Sequence, residues 1–426
     1  MKESTFNRAT NAALNFQLSF ILCCCFSFIL SAQNELPITK LTTKIQLDGK
    51  VDETAWKAIK PLPMTTHWPT FKADPTEKTE IRIAYDEEYI YLSAICYDSE
   101  PSKIQTPTFQ RDDWGMKMDQ VSLSLDTFDD NENMLTFSVT ATGSRVEAAI
   151  KNDAQGGDAA NTTWNSYWEA NAQITGRGWE TEMKIPFSSL RFNVVDGKIK
   201  MGMIVDRYIA RKREMHIYPA IPPDWGFWSF VKASRAQTIT FEGVENKRPW
   251  YVAPYILGGL GHHYEDLNSQ YVKQNDKDFE VGLDVQHAFS DNLNADFTIN
   301  TDFAQVEADD QVVNLSRFSL FFPEKRKFFL ERASVFEFKN DQNNQLFYSR
   351  RIGINDGERI PILGGARLVG RFNKWDVGFL NMQSQKVDQF ASENFGVLRV
   401  RKNIFNAQSY VGGMMTSKIG SDGYRN

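Results

Sequence analysis

Cysteine is scarce in this sequence. Three of the four, Cys23, Cys24 and Cys25, sit side by side near the start, and only Cys96 lies beyond them. A single remaining thiol cannot close an internal disulfide. That excludes a small disulfide-stapled scaffold and leaves stability to packing and sheet hydrogen bonds. Apolar length is also short: a mean hydropathy of -0.43 argues against a bundle of membrane helices. Excess positive charge is missing too. The 426 residues carry a formal charge of -6, so no global basic field exists to hold nucleic acid, and that partner is set aside. Histidine is limited to His67, His216, His262, His263 and His287, which form no His-Glu-x-x-His site, and neither a Gly-x-Ser-x-Gly elbow nor a phosphate-binding Gly-Lys loop occurs.

What is present begins with an export signal. Lys2 and Arg8 give a positive start, Phe16 to Leu30 is apolar, and Leu30-Ser31-Ala32 offers a small-residue cleavage point before Gln33. The expectation is a cleaved signal peptide over residues 1–32. A membrane anchor is the alternative, but the run falls short of the roughly 20 residues a spanning helix needs. Removing Lys2, Arg8 and Glu3, a net of +1, takes the charge from -6 to -7.

Beyond the leader, segments with 3.6-residue spacing are nearly missing, and short β-branched and aromatic runs alternate with Gly, Asn, Asp and Pro. The fold class expected is all-β. Ile81–Tyr85, Tyr89–Ile95, Val121–Leu125 and Leu135–Val139 each read as a sandwich strand. One short helix is expected over Glu53–Ile59, capped by Asp52. The texture changes in the polar stretch Phe241 to Pro249. This places a β-sandwich at 35–240, a linker at 241–250 and a second unit at 251–426. In that unit Phe279, Val281, Leu283 and Val285 alternate with Asp278, Glu280, Gly282 and Asp284; Leu293, Ala295, Phe297 and Ile299 repeat the pattern, as do Trp375, Val377 and Phe379. Such strands suit a second water-facing sandwich or a transmembrane barrel with a wet lumen. Strand lengths near 9 to 11 residues and flanking aromatics such as Trp250, Tyr251 and Trp375 favour a partial antiparallel transmembrane β-barrel. Seven or eight strands are expected before Gly420. An open edge cannot face lipid, so further strands or oligomerisation are expected to close it.

The residues also carry a resemblance. Leu47-Asp48-Gly49-Lys50-Val51-Asp52-Glu53-Thr54-Ala55-Trp56, then Ile81 to Tyr91, Arg111-Asp112-Asp113, Asp119-Gln120-Val121, Leu125 to Phe128, Trp164 to Glu169 and Glu182 to Phe192 are similar to family 9 carbohydrate-binding modules over about residues 35 to 240. The second half, through Asp302 to Asp309, Phe321 to Glu331 and Leu346 to Gly353, resembles the uncharacterised outer-membrane barrel that bacteria fuse to this module. Lys327 and Arg332 stand where that family usually has Pro and Gly. The resemblance implies a longer full-length chain at the cell outer membrane, with outer-membrane lipid as a partner.

A sugar site needs an aromatic face for the C–H side of a pyranose and polar groups for its hydroxyls. The candidates are Trp114 and Trp164 with Arg111, Asp112 and Asp113; Trp68 is a weaker one, and the alternative for each tryptophan is to plug one end of the sandwich. Trp56, Trp168 and Trp179 are expected in the core. Where the family has Asn-Pro-x-Gly followed by Asp, this chain reads Thr140 to Glu147. Related modules hold structural calcium, and Asp48, Asp52 and Asp126 supply oxygen ligands of the right kind; turn caps or surface salt bridges are the alternative. The block Glu324-Lys325-Arg326-Lys327 reads either as a lumenal latch or as a tight turn between aromatic anchors. The functional expectation is capture of an oligo- or polysaccharide in carbohydrate catabolism or uptake, with the barrel as anchor or pore. A glycoside hydrolase, or an accessory part of one acting on a xylan-like polymer, is the alternative; a protein-interaction or plug domain is the third.

Overall fold

The computed structural model describes residues 35–113, 115–156, 159–162, 164–244, 250–267, 270–290, 293–301, 324, 326–330, 333–338, 345–355, 358–372, 375–387, 390–404 and 409–423. The side chains of 263–276, 278 and a few others inside these ranges lie outside the description.

Period-two alternation builds two sheets. The larger orders Leu36–Pro37, Gln237–Glu242, Lys198–Ile209, Gln120–Asp126, Met134–Thr140, Arg145–Ile150 and Ala160–Asn161, with Glu214–Tyr218 and Thr65–Trp68 extending it beside Lys198–Ile209. The smaller orders Glu169–Thr175, Gly178–Pro186, Tyr89–Tyr97, Thr79–Tyr85 and Thr39–Lys40. Ile81, Ile83, Ile90, Leu92 and Ala94 from the smaller sheet meet Val121, Leu123, Leu125, Phe137, Val139, Met201 and Met203 from the larger in one buried core. Alternate residues on each strand point to the same side, so the inward set is apolar and the sheets pack face to face. Trp168 and Trp179 lie in that core, as expected.

Both outward faces are covered as well. On the smaller sheet, Trp56 packs with Val51, Ala84, Tyr91 and Ile95. It rides on a single helical turn, Thr54–Lys57, rather than the expected Glu53–Ile59. Its N-cap is Glu53, with no side-chain cap, and Asp52 is exposed. On the larger sheet, Met134, Ala148, Ile150, Ile204, Tyr208 and Ile217 are buried beneath Phe230, Val231, Ala233 and Ala236. Between these apolar residues runs a polar ladder: Ser124 and Thr136 share a hydrogen bond of 2.8 Å, and Ser138 donates to Ser122 at 2.9 Å. Asp206 sits on the same face, opposite Ser122 in the pairing.

The C-terminal region forms a separate antiparallel meander. Trp250–Leu267, Gln270–Ser290, Leu293–Ile299, Ile362–Phe372, Trp375–Ser384, Glu393–Asn403 and Tyr410–Gly420 pair in that order. Among the described residues this is an open seven-stranded sheet, and closure into a barrel is not seen. The register decides which residues share a face. Phe297 pairs with Val285 and Ala366, and Leu368 with Phe379, which pairs with Leu398, which pairs with Met415. These rows lie on the face that also carries Trp250, Val252, Ile256, Val281, Ile299, Trp375 and Val411, all exposed. The alternation read from the sequence therefore holds, but the exposed face is the apolar one. The opposite face is buried and carries charged residues beside the apolar Val369, Leu380, Met382 and Val397. Asp296, Arg367, Asp376 and Arg399 lie on it, covered by Phe328, Phe329, Val335 and Phe336. Arg326, from the block with two sequence readings, is fully buried and donates to the carbonyls of Ile352 and Ser349, both at 2.7 Å. Its neighbour Lys325, Asp302 to Asp309 and Phe318 to Phe322 lie outside the described residues. No helix among the described residues is long and apolar enough to cross a membrane, which says nothing of strands. Residues 36–426 pack as one unit.

Candidate functional site

The most recognisable sequence motif has a local task. The Trp56 indole donates to Glu182 at 2.9 Å, and the amides of Gly49 and Asp48 donate to its other oxygen at 3.2 and 3.3 Å. Gly49 has φ +81, and a Cβ there would stand 2.9 Å from the backbone of Ala172, so the turn requires glycine. Burial pushes the Glu182 carboxyl up to about 7, against the donors that favour its charged form. Leu47 to Trp56 thus clamps the N-terminal segment onto the smaller sheet.

The expected calcium ligands do not gather. The Asp48 carboxylate accepts the amide of Lys50 at 2.9 Å. Asp126 accepts the amides of Asp130 and Asn131 at 3.1 and 2.7 Å, and Asp130 in turn caps Glu132 and Asn133. Burial, then the charge of Asp130, pushes the Asp126 carboxyl well above its ordinary range. No group of three or more Asp, Glu, His or Cys placed to hold a metal occurs among the described residues. Asp48 and Asp126 are each taken up by backbone amides of their own turns and Asp52 is exposed, so the three do not make an ion site.

The carbohydrate candidates divide. Arg111 forms an ion pair with Glu147, whose side chain is 0% exposed, and also donates to Asn165 at 3.2 Å. Glu147 points between the sheets, where it accepts the Trp168 indole at 3.0 Å. Asp112, at φ +61, donates its amide to the carbonyl of Arg145 at 3.1 Å, and burial followed by the Glu147 charge raises its pKa. Trp164 is half-buried and meets Phe137 edge-on, with ring centroids 5.8 Å apart. So Arg111, Asp112 and Trp164 come to one end of the sandwich, where Arg111 first serves to neutralise a buried carboxylate. Asp113 is drawn aside to Lys117 at 2.9 Å, and Trp114 lies outside the described residues. Sequence reasoning missed Glu147 and Asn165 as partners of Arg111, because their approach depends on sheet packing.

A second cluster escaped the sequence analysis altogether. The loop over the larger sheet passes through a 3₁₀ turn at Pro223–Trp225, then Gly226 at φ +106, then a second turn at Ser229–Val231. This path leaves Trp225 49% and Phe227 63% exposed. Phe227 lies 5.1 Å from Trp228 and 6.2 Å from Trp68. Arg235 sits 4.0 Å from the centroid of Trp225 and Lys232 5.6 Å from it. The result is an aromatic ledge with cations at one side. The signal was available: Trp225, between Asp224 and Gly226, stands in the kind of polar loop context that selected Trp68, Trp114 and Trp164.

Residues 47–215 match the family described as carbohydrate family 9 binding domain-like. The N-terminal half carries a family 9 carbohydrate-binding-like domain. Residues 252–362 match a domain of unknown function, DUF5916. No curated protein matches the chain. Among solved structures, a family 9 carbohydrate binding module from Caldicellulosiruptor kristjanssonii in complex with cellotriose is 13% identical, covering 50% of this chain and 95% of its own, with a TM-score of 0.36. The same module in complex with glucose is 14% identical, covering 50% and 98%, with a TM-score of 0.35. A putative carbohydrate-binding protein from Bacteroides uniformis is 13% identical, covering 49% and 99%, with a TM-score of 0.38. The family 9-like domain ends inside the strand pair Lys198–Ile209 and Glu214–Tyr218, so the aromatic ledge lies just beyond the matched span.

Proposed function

We propose that this protein binds an oligo- or polysaccharide at the bacterial cell envelope through its N-terminal β-sandwich and the loop that covers it, with the C-terminal sheet as the first part of an outer-membrane barrel that anchors it or forms a pore. The observation that carries the binding claim is the exposed ledge of Trp225 and Phe227, backed by Trp228 and Trp68. Apolar rings of this size on a soluble surface are costly unless something covers them, and the C–H face of a pyranose does so while nearby polar groups take its hydroxyls. The Arg111, Asp112 and Asn165 cluster is the second place where sugar hydroxyls could be met. The test is glycan-array and calorimetric binding by the full chain in detergent. Trp225→Ala is expected to weaken binding about tenfold or more, the ordinary loss for an aromatic anchor, with unfolding unchanged. Binding that is indifferent to both Trp225→Ala and Phe227→Ala removes the ledge from the site.

The membrane reading is supported by the burial pattern of the C-terminal sheet; export by a cleaved leader and a role in polysaccharide uptake or catabolism are part of the same proposal. Large apolar side chains are exposed on one face of that sheet, while Asp296, Arg367, Asp376 and Arg399 are buried on the other among Val369, Leu380 and Val397, which is costly in water and favourable where hydrocarbon meets the outer face. Trp250 and Trp375 lie at strand ends on the exposed apolar face, as in an interfacial girdle. Membranes from expressing cells are expected to retain the chain through high-salt and alkaline washes and release it only to detergent. Release by salt alone sinks this half of the proposal.

A further inference from the structure

One corner of the sandwich touches both the aromatic ledge and the buried face of the C-terminal sheet. Its hub is Asp153. Lys232 stands 2.7 Å from the Asp153 carboxylate and donates to its carbonyl at 3.2 Å, while the amide and hydroxyl of Ser234 donate to the same carboxylate at 2.8 Å each. Lys232 and Ser234 belong to the segment that carries Trp225, so the ledge is fastened to this buried side chain as well as to the core beneath Phe230 and Val231 and to His67 through Ser229.

The hub is unusual in its backbone. Asn152, Asp153 and Ala154 have φ of +54, +51 and +56, three successive non-glycine residues in the left-handed region, which chains visit singly and reluctantly. Contacts from outside hold them there: the Ser234 and Lys232 bonds, and the Asp153 amide donating to the carbonyl of Glu132 at 2.7 Å. A conformation imposed from outside is one that can be released when those contacts shift.

The residues flanking the hub reach the other sheet. Lys151 pairs with one carboxylate oxygen of Glu337, and the Asn152 amide donates to the other at 3.0 Å. Glu337 directly follows the 3₁₀ turn Ala333–Phe336, whose Val335 and Phe336 lie 2.9 Å from the place a Cβ on Gly378 would occupy. Phe338 lies 4.7 Å from the guanidinium of Arg399. The segment 333–338 therefore covers the buried face and is gripped at Glu337 by the corner. A second grip joins Glu132 to Arg401 at 2.6 Å, and Arg401 to Asp376 at 2.7 Å.

We infer that this corner is a relay: a saccharide settling on the ledge shifts Lys232 and Ser234 against Asp153, and the left-handed turn passes that shift through Lys151 and Asn152 to the segment lying on the sheet's inner face. The nature of the ligand rests on the saccharide reading above; the mechanical coupling does not. Linkage makes the effect reciprocal, so loosening the segment must also alter affinity at the ledge.

The test is hydrogen exchange by mass spectrometry on the full chain in detergent. Asp153→Asn and Lys151→Met are expected to speed exchange of amides 333–338 about tenfold, and Ser234→Ala about threefold, although Asp153 and Ser234 do not touch that segment. Ser234→Ala deletes only a hydroxyl, so it carries the test if Asp153→Asn fails to fold. Faster exchange in 219–236 with 333–338 unchanged in Asp153→Asn and Ser234→Ala overturns the relay. In a second arm, saturating cellotriose is expected to change exchange of 333–338 in the parent chain and not in Lys151→Met. Cellotriose that binds and leaves 333–338 unchanged also overturns it. Cellotriose that does not bind counts against the saccharide reading for this ligand, and the variant series then decides the coupling.

Discussion

Replacing Asp206 by Asn is expected to stabilise the sandwich by about 4 kcal/mol at pH 8 and by nothing below about pH 4. Asp206 is buried on the outward face of the larger sheet under the segment Phe230–Ala236, and one of its carboxylate oxygens has no hydrogen-bond partner. Desolvation pushes its carboxyl up to about 7, from an ordinary 3.8, and a hydrogen bond with Ser122 opposes this only in part. The folded chain thus keeps a proton that the unfolded chain releases. Stability from this group is complete below pH 3.8, declines as pH rises, and is fully lost above about 7. Asn is neutral throughout and has no such decline. Denaturant unfolding of both forms across pH 3 to 9, followed by tryptophan fluorescence, measures the gap; parallel stability curves would refute the assignment. Beside Asp206 the hydroxyls of Ser122, Ser124, Thr136 and Ser138 pair with one another, which is how a polar ladder is tolerated between apolar layers.

Arg111→Ala is expected to destabilise the sandwich by about 2–3 kcal/mol, because it strips the cation from a carboxylate that has no access to water. Breaking a fully buried pair costs about 3–5 kcal/mol; Arg111 is 37% exposed on its side chain, so part of that is screened. The Trp168 indole and the amide of Ser166, at 3.0 and 3.4 Å, remain to hold Glu147, but neither carries charge. Arg111→Lys keeps the charge and loses the planar guanidinium whose Nη2 meets both Glu147 and Asn165, so it recovers only part of the loss. The readout is the unfolding midpoint at pH 7. An unchanged midpoint together with lost glycan binding would make Arg111 a ligand contact instead of a structural cation, which is how the sequence pattern presented it.

These two residues mark where reading the sequence stopped working. Alternation at Ile81–Tyr85 and Tyr89–Ile95 exposed the strands because period two depends only on the chain's own order. The same held at Phe279 to Val285 and Trp375 to Phe379. Arg111 and Asp112 were selected by residue type and context, yet their partners Glu147 and Asn165 lie 36 and 54 residues away. Asp48, Asp52 and Asp126 looked alike as oxygen ligands; in the fold Asp48 and Asp126 each hold amides of their own turn, and Asp52 is exposed. Trp225 and Phe227 had a legible local context, and only their exposure, fixed by Gly226 and the two 3₁₀ turns, separates them from the buried Trp168 and Trp179.

The order of residues by itself determined the all-β character, the two-part division of texture and the family 9-like motif, since each follows from local periodicity and composition. Only the tertiary structure decided which face of the C-terminal sheet is bare, which carboxylates are neutralised and which tryptophans reach the surface. Those outcomes depend on contacts between segments far apart in the chain, and burial, which sets the cost of every charge and ring, exists only once those segments have met.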